Sequence, residues 1–122
     1  MVKSVVIICE DSPIGKNSNV EAIRMGAGIT VMGDIENCNI IFMGDAVHFL
    51  SKHIKPEALN MDDNSNIYRM MELSEINIFA LDSALEIAGL DPSDIVNFEN
   101  VKIVSFKDVA RMILEADITY RY

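Results

Sequence analysis

Five strand-length apolar runs punctuate this chain, and each is separated from the next by a stretch long enough for a helix. They are Val2–Cys9, Asn39–Gly44, Ile76–Leu81, Val101–Ser105 and Ile118–Tyr122. Near-continuous apolarity over so few residues marks a strand buried on both faces, because a strand with one wet face alternates. The intervals carry helical spacing, so the order reads as repeated β-α-β units. The pattern predicts an α/β fold of three layers, α/β/α, around a five-stranded, mainly parallel sheet. Such sheets bind ligands in the crevice beyond the carboxyl ends of their strands. The loops that leave those ends are therefore the ones to search for function.

At 122 residues the chain is expected to form one domain, 1–122, with a single two-sided core. The formal charge of −9 is spread along the sequence rather than gathered in a tail. That surface repels phosphate backbones and argues against direct nucleic-acid binding. Cys9 and Cys38 form no C-x-x-C and no zinc ligand set, so neither metal nor cofactor is expected. The first apolar run is broken by Glu10 and Asp11, too early for a signal peptide. No apolar segment reaches membrane-spanning length, so a cytoplasmic location is expected.

The first helix is expected to start at a Ser18 or Asn19 cap, with Glu21 in its first turn, and to stop at Gly33. Val20, Ile23, Ala27 and Val31 share a stripe suited to the sheet, whereas Met25, Ile29 and Met32 lie nearly opposite. A helix apolar on two faces is usually covered twice, and a partner subunit is the expected second cover. Asp45–His53 reads as a short helix, Lys55-Pro56 as a turn and 61–66 as a polar, mobile stretch. Ile67, Met70 and Met71 share a face of the next helix, with core packing as their expected role. Asp82 can cap a helix ending at Gly89, and Asp91-Pro92-Ser93-Asp94 reads as a capped turn. Ser105-x-x-Asp108 resembles a capping box before an amphipathic helix carrying Phe106, Val109, Ala110, Ile113 and Leu114.

The loop after Cys9 holds Gly15-Lys16 between a strand and a helix, as a phosphate-binding P-loop does. A P-loop needs glycine where Glu10 stands and serine or threonine where Asn17 stands, so the match fails and a turn built on Pro13 and Gly15 is expected. Asp45 and His48 lie about one helical turn apart beyond the second strand, a spacing open to acid–base work. A helix cap at Asp45 with His48 on the surface is the ordinary alternative. His53 has no evident partner in the sequence. No G-x-S-x-G elbow occurs, so hydrolase chemistry has no foothold. Cys9, at the carboxyl end of the first strand, is a candidate thiol. Cys38 is expected at the opposite edge of the sheet, and inert packing is the ordinary role for both.

Several segments, taken in order, resemble a known family. They are Val5-Val6-Ile7-Ile8 followed by Ser12-Pro13-Ile14-Gly15, Ile41 through Val47, Leu50 through Lys55-Pro56, and Ile76 through Leu81 leading to Leu85 and Gly89-Leu90. The ending Glu115 through Tyr122 adds to them. The chain is similar over its length to the DsrE/DsrF/DsrH sulfur-relay family, whose tRNA-modification relatives are TusD, TusC and TusB, with its ending closest to the DsrF/TusC branch. The resemblance implies a flavodoxin-like, five-stranded parallel sheet assembled into dimers, trimers or hexamers of related subunits. It also implies, for the DsrE/TusD subunit, a persulfide-carrying cysteine after the third strand. The matching stretch here is Phe79-Ala80-Leu81-Asp82, which holds no thiol.

Three readings follow. The first is an accessory, non-catalytic subunit of a sulfur-relay assembly, homo- or hetero-oligomeric with DsrE/DsrF/DsrH-like subunits, that docks a sulfur-carrier protein. In it, Met25, Ile29 and Met32 form the interface. The second is a sulfurtransferase using Cys9 as carrier, opposed by the acidic neighbours Glu10 and Asp11, which disfavour thiolate. The third is a small-molecule module in the crevice near Ser12, Gly15, Asp45 and Asp82, where the surrounding acids disfavour a highly charged anion.

Overall fold

The computed structural model describes residues 2–32 and 34–122. Gly33, the expected stop of the first helix, lies outside the described residues. The apolar runs become five strands: β1 (Ser4–Cys9), β2 (Asn37–Phe42), β3 (Asn77–Leu81), β4 (Val101–Val104) and β5 (Ile118–Arg121). Four α-helices accompany them: α1 (Ser18–Val31), α2 (Ser65–Leu73), α3 (Asp82–Ala88) and α4 (Phe106–Glu115). Short 3-10 helices fill Gly44–Leu50, Pro56–Leu59 and Pro92–Asp94.

The sheet has the order β4-β3-β2-β1-β5, and every pairing is parallel. The layering is the doubly wound, flavodoxin-like kind expected, while the strand order differs from flavodoxin's own 2-1-3-4-5. From β1 to β4 the chain steps one way along the sheet, then returns across β1 to place β5. Right-handed crossovers put the returning helix, α4, on the face opposite α1 and α2. The middle strands are covered on both sides, and Ile7, Ile40, Ile41 and Phe42 are fully buried there.

One residue sets how closely α1 approaches the sheet. A Cβ on Gly26 would stand 2.8 Å from Ile40 Cδ1 and 3.4 Å from Cys38 Sγ. The helix therefore buries the row Asn19, Ala22, Ile23 and Gly26. Two expectations for α1 need correction. Val31, placed on the sheet side, is 84 % exposed, and Met25 and Ile29 are half-buried against the core margin. Of the expected outer face, only Met32 stands fully in solvent. Gly26→Val is expected to lower the free energy of unfolding by about 1–3 kcal/mol, as overpacking of a filled site does. Urea denaturation checks this, and an unchanged midpoint would show that α1 can ride outward without loss.

Local signals close the other elements. The Ser105 capping box forms: its Oγ accepts from the Asp108 N–H at 3.2 Å, and its own N–H donates to Asp108 Oδ2 at 3.2 Å. A second box links Asp91 and Asp94. Gly89, at φ +74°, ends α3 in the left-handed conformation that glycine adopts freely. Asp82 is the first residue of α3 rather than its cap, which falls on Leu81. Asp45 likewise makes no capping bond, since Met43 occupies that position for the Gly44–Leu50 helix. On α4, Val109 is buried while Phe106 and Leu114 are exposed, so the amphipathic face is narrower than its spacing implies.

Candidate functional site

Cys9 ends β1 at the carboxyl edge, with its backbone carbonyl accepting from the Met43 N–H at 2.9 Å. Its side chain is wholly buried. Burial first, and the nearby Asp11 carboxylate second, push its thiol pKa up to about 12. Cys38 lies at the start of β2, toward the opposite edge, also wholly buried, and desolvation pushes its thiol up to about 11. Both are packing residues in their geometry. The acidic hindrance read from the sequence at Cys9 comes from Asp11, because Glu10 faces away into an ion pair with Arg121 at 3.2 Å.

The carboxyl edge opens into two clefts. The larger, of about 530 Å³, lies between residues 13–24, the turn after β1 with the start of α1, and residues 54–67. Phe49 contributes to its wall, and Lys16, Arg24, Lys55, Asp62 and Asp63 supply the charge. The smaller, of about 360 Å³, lies beyond β2 and β3 and is bounded by Asp45, His48, Leu81, Ser83 and Ile87.

The residues singled out in the sequence are divided between these places. Gly15 borders the larger cleft and Asp45 the smaller. Ser12 and Asp82 border neither and make local turns, Ser12 Oγ accepting from the Ile14 N–H at 3.1 Å and Asp82 Oδ1 from the Ser83 N–H at 2.6 Å. The four do not form one pocket. Gly15 has φ +69°, the turn expected in place of a P-loop. Asp45 and His48 share the smaller cleft without a hydrogen bond between them among the described residues. Phe79 is half-buried, Ala80 and Leu81 are buried, and Asp82 is exposed. His53, unpartnered in the sequence reading, has its Nε2 3.0 Å from Asp94 Oδ1, a contact across 41 residues that no local pattern announces.

Among the described residues, no group of three or more His, Cys, Asp or Glu side chains is placed to share a metal ion. Nor is any helix there long and apolar enough to cross a membrane.

The class is thus an α/β domain whose parallel sheet, ordered 4-3-2-1-5, opens its clefts at the carboxyl edge without an exposed thiol. The model of the DsrE/DsrF-like family matches residues 3–120, and the chain belongs to that family. No curated protein matches it in sequence. Among solved structures, the YchN protein from E. coli is similar, with a TM-score of 0.78 at 19% identity, covering 98% of this chain and 99% of that one. The protein of unknown function MTH1491 from Methanobacterium thermoautotrophicum scores 0.66 at 18% identity over 100% of both chains. The conserved protein of unknown function BT1422 from Bacteroides thetaiotaomicron scores 0.69 at 14% identity, over 98% of this chain and 95% of that one. Likeness at these identities is a likeness of fold.

Proposed function

We propose that this protein is an accessory subunit of a sulfur-relay assembly, of the DsrF/TusC type, that builds the oligomer and docks a sulfur-carrier protein without carrying sulfur itself. Membership of a family generally tied to sulfur relay supplies the setting. The observation that carries the reading is the state of the thiols. The stretch after β3 has none, and both cysteines are wholly buried with raised pKa values. A persulfide carrier needs a reachable thiolate. The same observation weakens the alternative in which Cys9 acts as a sulfurtransferase.

Oligomer contact in this reading involves the outer side of α1, with Met32 at its exposed end and Met25 and Ile29 at its margin. Native mass spectrometry of the complex purified from its own cells tests the proposal. The expected result is an assembly that contains a related subunit bearing a cysteine after its third strand, and that Met32→Glu weakens. A lone monomer, or a one-sulfur mass increment on Cys9 or Cys38 after exposure to a persulfide donor, would overturn it.

A further inference from the structure

Helix α4 carries an apolar side that the sheet leaves open. Val109 packs into the core, whereas Phe106 is 64% exposed and Leu114 85%. Ala110 stands midway between them, so Phe106, Ala110 and Leu114 form one i, i+4, i+8 row about 12 Å long. Such rows are the ridges by which helices interlock. Exposed apolar side chains are ordinary where they stand singly, as Leu73 does on α2 and Ile87 on α3. A large–small–large row is different, because it is its own complement when a second helix runs the other way. Phe106 then meets Leu114 of the second copy at each end, and Ala110 at the centre lets the two backbones approach.

The charges beside the row decide which occupant fits. Lys107 and Glu115 each directly follow one of its large ends, so they lie on the same flank. Neither takes part in an ion pair among the described residues. Each also opposes the helix macrodipole, with a cation in the first turn and an anion in the last. An antiparallel second copy corrects both at once. Its Glu115 comes to Lys107 at the helix start, and its Lys107 comes to Glu115 at the helix end. Arg111 lies nearest the twofold axis and is neutralised within its own chain by Asp108 at 3.1 Å. The helix as a whole is neutral, two cations against two anions, in a chain of formal charge −9. Two such chains meet there with little of the repulsion that their net charge brings elsewhere.

We propose that two copies of this chain pair through α4, with the helices antiparallel about a twofold axis beside Ala110. The contact is isologous, so one surface closes the assembly as a dimer. It is separate from the α1 contact with a related subunit and does not rest on sulfur transfer. A single ten-residue helix buries little surface, and contacts below about 1,200 Å² are weak and transient.

The test is analytical ultracentrifugation of the full chain, produced without any related subunit, from about 2 to 500 µM. A monomer–dimer equilibrium is expected within that range. Leu114→Ser is expected to weaken it at least about tenfold, since a leucine leaves each end of the contact. Lys107→Glu and Glu115→Lys, each alone, set like charges across the axis and are expected to weaken it about three- to tenfold. The double exchange, Lys107→Glu with Glu115→Lys, restores opposite signs and is expected to return association to within about twofold of the natural chain. These substitutions change exposed side chains, so the fold does not depend on them. Met32→Glu, which disrupts the α1 contact, is expected to leave this dimer unchanged. A monomer at about 500 µM, a dimer indifferent to Leu114→Ser or to the single reversals, an exchange that fails to restore pairing, or a dimer lost with Met32→Glu would overturn the proposal.

Discussion

In an Asp82→Cys variant, iodoacetamide at neutral pH is expected to alkylate the introduced thiol to completion while Cys9 and Cys38 stay unmodified. Asp82 is exposed at the start of α3, directly after β3, where sulfur-carrying relatives are expected to hold their cysteine. An exposed thiol there has an ordinary pKa of about 8.5, hence roughly 3 % thiolate at pH 7. At Cys9, with its thiol pushed up to about 12, the thiolate fraction falls to the order of one in 100,000. The more basic thiolate is the stronger nucleophile, which recovers a factor of about 40 at a Brønsted slope near 0.45. A preference on the order of a hundredfold remains from ionisation alone. Burial adds to it, since a wholly buried sulfur reacts only after the chain opens locally. Peptide mapping by mass spectrometry after timed quenching reads all three sites together. Comparable labelling of Cys9 would mean that the carboxyl edge opens readily, and the case against a carrier role for Cys9 would fail with it.

The strands were legible because their signal is local. Their apolarity is carried residue by residue, so β1 to β5 fall within two residues of the runs that announced them, although only β1, β2 and β3 are largely buried, and the edge strands β4 and β5 are mostly exposed or half-buried. Capping boxes are equally local, and Ser105–Asp108 forms as its spacing predicts. The face of α1 was not legible, because the residue that sets it is Gly26, which has no side chain for hydropathy to register. Close approach over Ile40 rotates the helix so that Ala22 and Gly26 face inward and Val31 is left in solvent. The site was half legible. Depending on where the carboxyl ends of strands lie, topology alone directed attention to Gly15 and Asp45. Which loop each one faces depends on packing between segments distant in the chain, so Gly15 borders the cleft toward α2 and Asp45 the one toward α3. Asn19 was read only as a candidate cap. Its burial and its unpaired oxygen are consequences of tertiary structure that a single polar residue in a helix start does not advertise.

Phe49→Ala is expected to destabilise the fold by about 3–5 kcal/mol, the usual cost of emptying a buried aromatic site. Phe49 is 1% exposed, in the 3-10 helix that follows β2. Its ring lies nearly parallel to Phe42 with centroids 5.9 Å apart, and edge-on to Tyr68 at 5.5 Å. Tyr68 in turn meets Phe98 edge-on at 6.3 Å, so one aromatic chain ties β2, α2 and the approach to β4 together. The Tyr68 hydroxyl also donates to the Phe49 carbonyl at 2.6 Å, and burial raises its pKa. Against a total stability of about 5–15 kcal/mol for a domain, this loss is a large fraction. Phe49→Leu keeps most of the volume and is expected to cost roughly 1–2 kcal/mol, most of it the lost ring geometry. Urea unfolding of the two variants separates filling from ring stacking, and a leucine variant as stable as the natural protein would refute the stacking part. Phe49 also belongs to the wall of the larger cleft, where Ile67 of α2 and Ile54 are neighbours in the lining. Removing the ring therefore weakens the support of residues 54–67 at the same time as it loosens the core.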